Sequence, residues 1–144
     1  MNKLILSVLF LSLIGFTSCN KDKDQGPSHT FTISMGNQTI NNNQCKRRQL
    51  TRIAMVPADG SPNSREVSFV LNPSESGTFT FALAQLGSYH ISVFTNEGHS
   101  VTWKNFAVSD GGSVVGYVSA NSDDYAISSR LASLSPTESD IPCN

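Results

Sequence analysis

From His29 onward the chain alternates apolar and polar residues in short runs, broken by clusters of Asp, Gly, Asn, Pro and Ser. That period of two belongs to strands, and the clusters belong to the turns between them. The runs are His29 to Met35, Gln49 to Val56, Arg65 to Leu71, Thr78 to Leu83, Ser88 to Thr95, Ser100 to Val108, Ser113 to Ser119 and Tyr125 to Leu131. Turns are expected at Ala58 to Asn63, Asn72 to Gly77, Asn96 to Gly98, Asp110 to Gly112 and Asn121 to Asp124, where Gly, Pro and Asx residues supply the bends. No helical period is long enough to cover a parallel sheet. Seven or eight strands at roughly ten-residue spacing therefore predict an all-β fold, an antiparallel sandwich.

Alternation also predicts which side chains meet. Val67, Phe69 and Leu71 share one face of their strand, as do Phe79, Phe81 and Leu83, and Tyr89, Ile91 and Val93. If Asn96-Glu97-Gly98 closes a symmetric hairpin, Ile91 stands opposite Trp103 and Val93 opposite Val101, apolar against apolar. The same register sets His90 against Lys104 and Ser92 against Thr102 on the other face.

The N-terminal segment follows a different rule. Lys3 precedes an apolar run from Leu4 to Phe16, then Thr17-Ser18-Cys19, then Asn20-Lys21-Asp22-Lys23-Asp24. The apolar run is shorter than the ~20 residues that span a bilayer, so it reads as a cleaved export signal. These residues resemble the signal peptide of a bacterial lipoprotein, which implies cleavage before Cys19 and lipidation of that cysteine. The expected organisation is residues 1–18 as signal peptide, 19–28 as lipidated cysteine and flexible tether, and 29–144 as a single domain. Charged residues directly after the cysteine also resemble the surface-export signals of Bacteroidetes lipoproteins. An outer-membrane location follows, facing the cell surface or, with a plain solvated linker, the periplasm.

Removing 18 of 144 residues leaves 126, enough for one modest core. Dropping Lys3 leaves nine Lys plus Arg against eleven Asp plus Glu, a formal charge of −2. This balance offers no general attraction to nucleic acid. With Cys19 lipidated, Cys45 and Cys143 remain, and an exported chain is expected to join them. The bridge would close a loop of about 98 residues, worth ~4 to 5 kcal/mol in the chain-entropy model.

The stretch Gly77-Thr78-Phe79-Thr80-Phe81, Leu83 to Leu86, Gly87-Ser88-Tyr89-His90-Ile91-Ser92-Val93 and Gly98-His99 resembles the carboxypeptidase regulatory-like domain. That likeness implies a transthyretin-like sandwich of a kind frequent in exported Bacteroidetes proteins. It also implies a Tyr whose ring is buried at a sandwich corner while its hydroxyl bonds backbone. Asn41 to Arg48 stands where the family's opening Gly-Xaa-Val strand belongs, so an immunoglobulin-like topology stays open.

Candidate chemistry is sparse. Lys46, Arg47, Arg48 and Arg52 make the densest positive charge and suit an acidic glycan, a phosphate or an acidic partner, or simply a solvated loop. Trp103 is expected in the core by its register, with sugar stacking as the other reading; Phe94, on the opposite face, is the better exposed aromatic. In the deduced register His90 and His99 lie about five residues apart, ~17 Å at 3.4 Å per residue, too far to share a metal ion. Asp110, Asp123 and Asp124 have a sufficient role in turns, and no metal or cofactor is expected. No Gly-x-Ser-x-Gly elbow, His-Glu-x-x-His pair or phosphate-cradling glycine loop occurs, so catalysis is not expected. The expected function is that of a non-catalytic envelope lipoprotein, on the membrane through its lipid, binding a protein or glycan or acting as a spacer. The alternative is an inhibitor or immunity-type lipoprotein that blocks an exported enzyme or toxin through the Cys45 to Arg52 stretch.

Overall fold

The computed structural model describes residues 28–39, 45, 47–120 and 127–142. The expected signal peptide, Cys19, nearly all of the tether, Lys46, Asp123, Asp124 and Cys143 lie outside them. Strands form in chain order as β1 (His29–Asn37), β2 (Leu50–Pro57), β3 (Arg65–Leu71), β4 (Ser76–Leu83), β5 (Gly87–Thr95), β6 (Ser100–Val108), β7 (Gly112–Ala120), β8 (Ile127–Leu131) and β9 (Glu138–Ser139). The first eight match the alternating runs to within two residues at either end. The ninth is a two-residue strand in a tail too short and polar to show a period.

Two sheets pack as a sandwich, one in the order β4-β1-β7-β8 and the other β3-β2-β5-β6-β9. All pairings are antiparallel except β1 with β7, which run parallel with Phe31 opposite Gly112 and Asn37 opposite Val118. The expected antiparallel sandwich is present, with this one parallel pair within it. A parallel pair needs a crossover, which no local turn signal announces; here five intervening strands supply it.

Burial follows the pleat. Phe31, Ile33 and Met35 of β1, Phe81 and Leu83 of β4, Val114 and Val118 of β7 and Leu131 of β8 face inward from one sheet. Leu50, Ile53, Met55, Leu71, Tyr89, Ile91, Val93, Val101 and Trp103 meet them from the other. Val67, Phe69 and Phe79 are partly buried against this core.

The β5–β6 hairpin forms with the expected pairs Ile91 with Trp103, Ser92 with Thr102 and Val93 with Val101. The Thr95 N–H donates to the His99 carbonyl (2.8 Å), and Gly98 carries the turn at φ 84°, a conformation that costs a glycine little. The expected pair His90 with Lys104 does not form. The register slips by one between Tyr89 and Ile91, so that Tyr89 faces Phe106. The extra residue sits beside Asn105, which adopts φ 56° and donates its N–H to His90 Nδ1 (3.2 Å). This bulge carries Phe106 and Val108 inward on the same side as Trp103, which strict alternation would have turned out.

The two long sides of the sandwich are closed differently. On one, β3 and β4 stack Phe69 on Phe79 with centroids 4.1 Å apart. Gly77 makes room for this: a Cβ there would stand 2.8 Å from Phe79 Cζ. On the other, residues 132–142 run as a strap from β8 to the far sheet. Leu131 and Leu134 exchange backbone hydrogen bonds, the Trp103 indole donates to the Leu134 carbonyl (3.3 Å), and the Thr137 N–H donates to Thr102 (2.8 Å). Lys104 pairs with Glu138, the Ser100 N–H bonds the Asp140 carboxylate, and Ile141 is buried.

Candidate functional site

Of the basic residues singled out by sequence, the three that are described, Arg47, Arg48 and Arg52, do not converge. Arg47 is exposed, while Arg48 is only 3% exposed and points into the fold. Its N–H donates to the Cys45 carbonyl (3.0 Å) and its Nη2 donates to the carbonyl of Pro142 at the end of the strap. Burial lowers the pKa of the guanidinium, with Glu97 acting in the opposite sense. Beside it Asn37, fully buried, donates through Nδ2 to the carbonyls of Arg48 and Leu71 (both 2.9 Å) and accepts from the Thr39 hydroxyl (2.6 Å). This polar knot ties the end of β1 to the start of β2 and the end of β3. Cys45 is fully buried, packs with Ala120 and is not a free thiol.

Arg52 stands on the outer face of the five-stranded sheet. Its guanidinium lies 3.9 Å from the centroid of the Phe94 ring and 3.1 Å from the Glu66 carboxylate. Phe94 is thus half-buried beneath a cation whose charge is already partnered. The same face carries the Lys104–Glu138 pair and the Ser92–Thr102 hydroxyl bond (2.8 Å). Exposed ion pairs of this kind contribute little stability, about 0–1 kcal/mol each.

Trp103 is 1% exposed and belongs to the core, as its register predicts. The Tyr89 ring is fully buried and its hydroxyl donates to the Gln85 carbonyl (2.8 Å), fastening the crossing from β4 in one sheet to β5 in the other. Burial raises the pKa of that hydroxyl. Asp110 accepts the Thr30 N–H (2.9 Å) and lies 3.3 Å from His29 Nδ1. Those contacts, the Thr30 N–H first, lower its pKa. Among the described residues no three His, Cys, Asp or Glu side chains gather as a metal site would need.

The outer face of the four-stranded sheet escaped the sequence reading. Thr32 and Thr80 pair their hydroxyls across β1 and β4 (3.2 Å), as do Ser34 and Thr78 (3.0 Å). A shallow cavity of about 380 Å³ opens there, lined by Ser34, Gly36, Gln38, Ser76, Thr78 and Val115. Val115 is 70% exposed. A second cavity of about 330 Å³ lies at the β8 edge of the sandwich, where Tyr117, Ser128 and Arg130 meet Ser135 and Pro136 of the strap and Ser139 of β9 in the other sheet. The signal for this face was present: Val114, Gly116 and Val118 alternate inward, so Val115 and Tyr117 had to point out.

Comparison with known proteins places the chain in no family: no family model matches it. No curated protein matches it either. Among solved structures it is similar to a protein from Eubacterium rectale determined by NMR, with 16% identity over 72% of this chain and 88% of that one and a TM-score of 0.45.

Proposed function

We propose that this protein is a non-catalytic envelope lipoprotein, held in the outer membrane through Cys19, whose sandwich binds a glycan or protein outside the cytosol. The observation that carries the binding reading is the outer face of the four-stranded sheet, which offers paired hydroxyl groups and one shallow cavity, with a second cavity at its β8 edge. The first cavity falls in the size range of small-ligand sites, about 300–1,000 Å³. β1 begins at His29, directly after the ten residues of the proposed tether, so the anchor leads straight into the middle of that sheet.

A Cys45–Cys143 bridge belongs to the same reading. Arg48 bonds the carbonyls of both Cys45 and Pro142, which brings the residue before Cys143 to the Cys45 turn and supports the pairing. The corner hydroxyl of Tyr89, at the step from β4 to β5, supports a carboxypeptidase regulatory-like origin. The inhibitor reading draws less support, because Arg48 is spent on the fold.

Mass spectrometry of the protein from its native membrane tests the anchor. The expected N-terminus is an acylated Cys19; an intact Met1 without acyl chains overturns the proposal. Protease treatment of intact cells then decides the leaflet, with cleavage expected for a surface-facing domain.

A further inference from the structure

We infer that the outer face of the four-stranded sheet is a binding track for a linear, uncharged oligosaccharide, with Tyr117 as its platform. This rests on the binding reading above and names its ligand class.

The argument begins with the chemistry of the lining. A sugar hydroxyl both donates and accepts, and so does each Ser or Thr hydroxyl. Ser34, Ser76 and Thr78 line the first cavity and Ser128, Ser129 and Ser135 the second, with the Gln38 amide at one end. On β8, Ser128 and Arg130 share the outward side with Tyr117, while Ser129, opposite the buried Val118, faces the core.

Tyr117 joins the two cavities. It lines the second, and across the parallel β1–β7 pair it stands beside Gly36, which lines the first. A Cβ on Gly36 would reach only 3.8 Å from Tyr117 Cβ, so glycine leaves the flank of the tyrosine side chain open without any packing need for it. An aromatic face takes the C–H side of a sugar ring while hydroxyls around it take the edges. Among the described outward residues of this sheet Tyr117 is the only aromatic.

Charge narrows the occupant. Arg130, opposite Tyr117 on β8, is the only ionisable side chain lining either cavity apart from the Tyr117 phenol. A polyanion would need several cations. A peptide adding to a sheet would seek an edge strand, not a face. A lipid would need more apolar area than Val115 provides.

The test is calorimetric titration of the purified full chain with linear neutral hexasaccharides of 1,4-linked glucose, mannose and xylose, with a hexamer of galacturonate as the charged comparator. Binding of at least one neutral hexamer is expected. Tyr117→Ala should weaken it about ten-fold or more, the loss usual for an aromatic anchor. Gly36→Val should also abolish it by filling the track, while the melting temperature holds because its Cβ meets only ordinary contacts. Arg52→Ala, on the opposite face, should change nothing. The inference is overturned if no neutral hexamer binds, if only galacturonate binds, or if binding survives both Tyr117→Ala and Gly36→Val. Such a result leaves an acylated Cys19 untouched, so the anchor and the track fail separately.

Discussion

The two long sides of the sandwich are sealed by different means, and the contrast separates local from long-range folding information. The β3–β4 side is closed by strands adjacent in sequence, through one aromatic stack over a glycine. The β6–β8 side is closed by the strap, which reaches residues 31 to 94 positions away: Leu134 to Trp103, Thr137 to Thr102, Pro142 to Arg48. Two strands joined by one short turn meet across the sandwich with little chain between them. A strap needs the body it closes upon, so it depends on everything built before it.

The sharpest way to break this contrast is to remove the side chain against which the strap lies. Trp103→Ala should destabilise by about 3–5 kcal/mol in equilibrium denaturation, because it empties a fully buried site and removes the indole bond to the Leu134 carbonyl. A loss under about 1 kcal/mol would mean that the strap contributes nothing to the core. Next in size, Cys143→Ser should cost about 2–4 kcal/mol under oxidising conditions and nothing once the wild type is reduced. Equal stability of the two oxidised proteins would sink the Cys45–Cys143 pairing.

On the β3–β4 side, Phe79→Ala should cost about 1–2 kcal/mol, since the ring is only partly buried and the loss is mainly the stack. If it matched Trp103→Ala, the two sides would be equivalent. At the crossing between sheets, Tyr89→Phe should cost about 1 kcal/mol, the net worth of one hydrogen bond.

The finest test uses acid. Asp110 has a folded pKa below the ordinary aspartate value of about 3.9, so the stability it supplies is present above that value and is lost as pH falls through the lowered one. Asp110→Asn should therefore be less stable than wild type at neutral pH, with the gap closing in strong acid. A gap independent of pH would show that the carboxylate charge plays no part.

Much of the fold was legible in the chain because its signals are local. Alternation marked eight strands, and the Asn96-Glu97-Gly98 turn set Ile91 against Trp103. The same logic failed at His90 and Lys104, where one extra residue beside Asn105 shifts the register; a bulge leaves the periodicity of each strand nearly intact and so hides in the sequence. The β1–β7 pairing was invisible for another reason, since no turn connects the two strands. The candidate site was less legible still. Arg48 looked like part of a basic patch, yet its neighbours in the fold are the Cys45 and Pro142 carbonyls. Phe94 looked open, yet Arg52 lies over it, a contact that depends on β2 and β5 being neighbours. Tyr117 carried no motif; only its place between two cavities gives it interest.

The parallel pairing of β1 with β7 has a kinetic consequence. β2, β3, β5 and β6 can assemble from hairpins and near neighbours, but β1, first to emerge from its point of synthesis or translocation, must wait for a mate roughly eighty positions behind it. Closing so long an interval is entropically costly and slow. The leading strand therefore spends the early life of the chain with one edge bare, and any helper that shields nascent β-edges would act on it first.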